Sequence, residues 1–187
     1  MGGLCLTLTL WPTTAHADCG MVEAEQMLTA FPDDVDSQLG MGEALACEGR
    51  CVDAWSRLTV AVEAGANPQN MRYAEQCLTR TMASQSCEDR VDTARRFTIA
   101  EPDLALAHTT LADAMRCQGG CTEVLPTLAR AVELGAPAEV LTGAALSCIY
   151  ALLAQGPRTQ AIAEIEIAMV HLPKATGLHG SLITALS

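Results

Sequence analysis

Residues 46–51 read Ala46-Cys47-Glu48-Gly49-Arg50-Cys51, and residues 116–121 read Arg116-Cys117-Gln118-Gly119-Gly120-Cys121. A glycine between two cysteines thus recurs 70 positions later. Further on, Ala61-Val62-Glu63-Ala64-Gly65-Ala66 is matched by Ala131-Val132-Glu133-Leu134-Gly135-Ala136. The outer cysteines keep nearly the same offset: Cys19 and Cys87 stand 68 apart, Cys77 and Cys148 stand 71 apart. The unit Cys19, Cys47, Cys51, Cys77 therefore recurs as Cys87, Cys117, Cys121, Cys148. Four matched offsets are hard to obtain by chance, and they point to an internal duplication.

Each unit divides again. Cys19, Cys51, Cys87 and Cys121 each open a helical stretch, at spacings of 32, 36 and 34, and another opens near Pro157. A period near 34 marks stacked helical hairpins. Gly49, Gly119 and Gly156 fall at tight turns inside the hairpins, where a positive φ costs glycine little. Pro32, Pro68, Pro102, Pro137 and Pro173 fall at the joints between them, where a helix must stop. First helices are expected near 35–48, 69–83, 103–117 and 137–154, and second helices near 52–64, 87–100, 121–134 and 158–171. A lone helix at 19–31 and a last one at 175–185 are expected to cover the open ends of the array. Composition agrees with an all-α fold. Half the residues are apolar but only 3% are aromatic, with Ala and Leu dominant and strand formers sparse.

The chain resembles the tetratricopeptide repeat family, whose pattern is an aromatic, Leu-Gly, an aromatic, a small residue, a large apolar one and a closing Pro. In the first repeat these positions fall on Gln38, Met41-Gly42, Leu45, Ala54 and Leu58. In the third they fall on His108, Leu111-Ala112, Met115, Val124 and Leu128. The fourth offers Ala145, Cys148-Ile149, Leu152, Ala161, Ile165 and Pro173. The second is weakest: Gln85 replaces the turn glycine and Arg90 the small residue, although Pro102 closes it. The aromatic positions are lost throughout, and Sel1-like hairpin repeats fit the cysteine-rich pattern as well.

The resemblance implies a right-handed α-solenoid of about four hairpins, at 35–68, 69–102, 103–136 and 137–173. It also implies a concave groove lined by the first helix of each hairpin. Groove-facing positions would include Asp36, Glu43, Arg72, Glu75, Thr79, Asp113, Arg116 and Tyr150, which suit clamping a peptide or another protein's helix.

The eight repeated cysteines suit a disulfide framework, which persists outside the cytosol. The favoured pairing joins each helix start to the antiparallel helix that follows: Cys19–Cys47, Cys51–Cys77, Cys87–Cys117 and Cys121–Cys148. Cys77 and Cys148 fit less well, because they lie deeper in their helices. The rival pairing closes Cys47–Cys51 and Cys117–Cys121 across the turns. Sequence leaves both open.

Export is expected on separate grounds. Leu4 to Trp11 is a short apolar run followed by Ala15-His16-Ala17, an A-x-A cleavage pattern that makes residues 1–17 a signal peptide and 18–187 one repeat domain. Met1-Gly2-Gly3 lacks the basic residues that usually open such a signal. Ten arginines against one lysine suit a GC-rich bacterial genome, so the expected location is periplasmic or secreted.

The exclusions complete the expectation. A formal net charge of −11, from 22 acidic and 11 basic side chains, repels phosphate backbones and argues against nucleic acid. Val140 to Ala154 is apolar but too short to span a bilayer. No phosphate loop, H-E-x-x-H or G-x-S-x-G occurs, so neither an enzyme nor a cofactor is expected. Asp33-Asp34 and Glu88-Asp89 read as helix-start acids. Met21, Met27, Met41, Met71, Met82, Met115 and Met169 read as core filler. The expected function is a non-enzymatic protein-interaction scaffold. The alternative is a metal-handling or thiol-redox protein using Cys47-x3-Cys51 and Cys117-x3-Cys121.

Overall fold

A computed structural model describes residues 19–155 and 158–171. Residues 1–17, the Gly156 turn, Pro173 and the helix expected at 175–185 lie outside these. The described residues are helical and include no strand. They form α1 (Met21–Ala30), α2 (Val35–Cys47), α3 (Cys51–Glu63), a 3-10 turn (Pro68–Met71), α4 (Arg72–Ser84), α5 (Cys87–Ala100), α6 (Ala105–Cys117), α7 (Cys121–Glu133), α8 (Ala138–Gln155) and α9 (Arg158–His171). Helices pack in sequence-adjacent pairs, with α2 reaching α4, α3 reaching α5, α6 reaching α8 and α7 reaching α9.

Local chemistry sets the boundaries. The Asp34 carboxylate caps α2 by accepting the Ser37 N–H at 2.9 Å. At α5, Ser86 Oγ accepts the Asp89 N–H at 3.2 Å and donates to the Asp89 carboxylate at 2.6 Å. The α2–α3 and α6–α7 turns share one geometry. Gly49 has φ 81° and Gly119 has φ 79°. Arg50 N–H donates to Leu45 O at 2.9 Å, and Gly120 N–H donates to Met115 O at 3.0 Å. The correspondence extends to side chains 70 apart, since Gln38 Nε2 donates to Pro32 O while His108 Nε2 lies 2.8 Å from Pro102 O.

The α4–α5 turn is built differently, as the missing glycine foretells. Gln85 is extended (φ −86°, ψ 155°), and no left-handed residue is needed. Arg90 sends Nε to Gln85 O at 3.3 Å and Nη2 to Ala83 O at 3.4 Å, satisfying carbonyls at the end of α4. The residue that weakens the sequence pattern thus closes the turn.

Each half is stapled within itself: Cys19–Cys47 and Cys51–Cys77 in the first, Cys87–Cys117 and Cys121–Cys148 in the second. Their Cα–Cα distances are 5.6, 5.4, 5.4 and 5.1 Å. This is the antiparallel-neighbour pairing, and the turns are not locally closed. Cys77 and Cys148 are buried, so their depth makes internal bridges rather than preventing them.

Two apolar clusters form the core. One runs from Ala24 to Leu78 and includes Phe97 and Ala107; the other runs from Val91 to Ala168. Helix α5 serves both, and Phe97 meets Trp55 of α3 edge to face, with centroids 5.1 Å apart. Ser56 Oγ also donates to the Glu101 carboxylate at 3.1 Å across this seam.

Two expectations need correction. The helix expected from 69 begins as a 3-10 turn, because Pro68 follows Asn67, whose side chain accepts the Gln69 N–H at 3.0 Å. Met41 and Met115 are buried as expected, but Met27 is 48% exposed, since no described helix packs on that side of α1.

Candidate functional site

A groove of about 720 Å³ runs between α4, α6 and α8. Amphipathic spacing builds it. On α4, Leu78 and Met82 stand four apart, one turn along the same face, with Glu75 and Thr79 beside them. On α6, Leu106 and Thr110 repeat that spacing, and Thr109 and Asp113 follow. Leu141 and Ala144 of α8 close the far wall, and Leu128 of α7 lies at the floor. The walls are therefore largely aliphatic, with hydroxyls and carboxylates at the margins.

Electrostatics single out one acid. Asp113 pairs with Arg116 at 2.6 Å on the same helix. Arg90 also lines the groove, but its guanidinium is turned to the α4 carbonyls. Glu75 is exposed and has no ion pair among the described residues, although its backbone oxygen accepts the Thr79 hydroxyl at 2.9 Å. The margin thus offers a carboxylate to an incoming cation or hydrogen-bond donor.

The eight positions that sequence assigned to a groove divide. Glu75, Thr79 and Asp113 meet in this one. Asp36 lines a smaller groove beside α1. Glu43 is half-buried on α2, and Tyr150 is exposed on α8, both away from the α4–α6–α8 groove. Arg72 lies 5.2 Å from the Tyr73 ring centroid, and Arg116 contributes only through Asp113. Sequence reasoning picked polar positions and so missed the aliphatic walls. Leu106 is apolar yet 38% exposed, on a face that the core-forming residues of α6 do not occupy, and only the packing shows this.

The cysteine pairs offer no thiol, because Cys51, Cys117 and Cys121 are each bonded to a cysteine on another helix and Cys47 to Cys19, just ahead of α1. Among the described residues no three His, Cys, Asp or Glu side chains are grouped to hold a metal ion. Nor is any described helix long and apolar enough to cross a membrane. No protein-family model matches this chain, and no curated protein or solved structure matches it either.

Proposed function

We propose that this chain is an exported, non-enzymatic scaffold that holds a peptide or helix of a partner protein in the α4–α6–α8 groove. The observation that carries this reading is the convergence of Glu75, Thr79 and Asp113 on one aliphatic cleft. A volume of about 720 Å³ suits a few anchor side chains, and the marginal polar groups suit fixing their register. Helices packed in adjacent pairs, together with turn geometry repeated at 70 residues, support reading the chain as a tetratricopeptide-like solenoid. Four disulfides support an oxidising compartment, with the periplasm or the cell exterior as its place. The metal or thiol alternative needs free thiolates that this pairing does not leave.

The test is crosslinking in the native compartment, followed by mass-spectrometric identification and mapping of the linked residues. The expected result is one stoichiometric partner linked near 75–113 and lost in the Leu106→Asp and Glu75→Lys variants, both at exposed positions. A partner retained by both variants, or bound metal in place of a partner, overturns the reading.

A further inference from the structure

The α1–α2 end is an unfinished copy of an internal packing site. Ala24 and Met27 of α1 stand 70 residues before Ala94 and Phe97 of α5. Helix α5 is covered by α3 and α4, and Phe97 is 0% exposed beneath Trp55. No described helix covers Met27 on α1, which is 48% exposed, and Phe31 just past the end of the helix is exposed as well. A groove of about 270 Å³ lies there, with Ala24 and Met27 on one side and Gly40 on the other. A Cβ on Gly40 would meet nothing within 4 Å, so the cleft is open to its floor.

Charge says what fits. Residues 19–49 hold seven acids (Glu23, Glu25, Asp33, Asp34, Asp36, Glu43 and Glu48) and no Lys, Arg or His. Glu23 and Asp36 line the cleft itself. A second copy of this end would set acid against acid, which disfavours a symmetric pairing. An apolar face rimmed by unopposed carboxylates complements an amphipathic helix with basic flanks.

We propose that the α1–α2 end docks a cationic amphipathic helix of a partner protein. One large apolar side chain of that helix would sit on Met27 as Trp55 sits on Phe97. This surface is separate from the α4–α6–α8 groove, and either can exist without the other.

The test uses the full chain and two synthetic helical peptides in fluorescence anisotropy. Both carry the same Leu/Trp face; one has lysines on its flanks and the other has glutamates. The lysine peptide is expected to bind at least tenfold more tightly than the glutamate peptide, and to weaken as salt rises. Met27→Asp and Glu23→Lys, both at exposed positions, should each reduce its binding at least tenfold, while Leu106→Asp leaves it unchanged. Equal binding of the two peptides, binding of neither, or binding indifferent to Met27→Asp overturns the proposal. So does sedimentation showing a dimer that Met27→Asp abolishes, which assigns the face to a second copy. Crosslinks from residues 1–18 to Met27 in the full chain assign it to the chain's own leading segment and overturn the proposal equally.

Discussion

A Cβ placed on Gly42 would lie 2.6 Å from Cγ and 2.7 Å from Cδ2 of Leu58, and 3.4 Å from the Leu58 N. The backbone of α2 thus presses directly onto a side chain of α3 that is 0% exposed and has nowhere to move. Seventy residues on, the same positions hold Ala112 and Leu128, both buried, so that copy accommodates the methyl group that the first excludes.

Gly42→Ala should therefore destabilise the protein despite the better helix propensity of Ala. Overpacking typically costs about 1–3 kcal/mol, against about 1 kcal/mol gained from propensity. In a Leu58→Ala background, where Cγ and Cδ2 are gone, the same change should be neutral or stabilising. A double-mutant cycle by urea unfolding checks this, with a coupling of at least about 1 kcal/mol expected. Additive effects would show that the close approach is not felt.

The disulfides should reduce in a fixed order. Cys47 and Cys117 are exposed, whereas Cys51, Cys77, Cys121 and Cys148 are buried. Thiol–disulfide exchange needs access to sulfur, so Cys19–Cys47 and Cys87–Cys117 should open first under a mild small-molecule reductant. Timed alkylation with peptide mapping reads the order directly. Replacing both members of the buried Cys121–Cys148 bridge with alanine should cost about 2–4 kcal/mol.

Helix order was legible because punctuation and period agree: prolines at joints, glycines at turns, and cysteines at fixed offsets. The bridges followed from placing cysteines on antiparallel neighbours. What escaped the sequence was which faces stay open. Met27 is spaced as a core residue, and it is exposed because no described helix packs on that side of α1. The groove was half-legible for a related reason. Glu75, Thr79 and Asp113 announce a solvent-facing stripe, but Leu78, Met82 and Leu106 look like core until three helices are seen to splay around them. Arg90 reads as a defect in the repeat, and its role emerges only when its guanidinium meets the α4 carbonyls.

Pro126 sits inside α7 on an exposed face, where it removes a helical hydrogen bond. Pro126→Ala restores a donor to Thr122 O without adding bulk to the core. Ala is favoured in helix interiors by about 3 kcal/mol, offset by up to about 1 kcal/mol from the looser unfolded chain. A net gain of about 1–2 kcal/mol is expected, read as a higher denaturation midpoint with an unchanged slope. A loss would mean that the proline shapes a bend on which neighbouring packing depends.

Phe97 is the bulkiest fully buried side chain and ties α5 to the core of the first half, while each disulfide stays within one half and α4 and α5 touch least among consecutive helices. Phe97→Ala should cost about 3–5 kcal/mol through the cavity it leaves, with about 0.5–1.5 kcal/mol of that from the ring pair. Phe97→Leu keeps most of the volume and should cost less than half as much. Because Trp55 loses its ring partner in both variants, its fluorescence should shift in both, whereas stability should fall steeply only in the alanine variant. That contrast separates the packing of the seam from the aromatic geometry. If the alanine variant unfolds in two steps, with Trp55 reporting the first, the halves are held as one cooperative unit mainly by this residue; a single step would place the remaining coupling in the polar contact from Ser56 to Glu101 and the shared burial of α5.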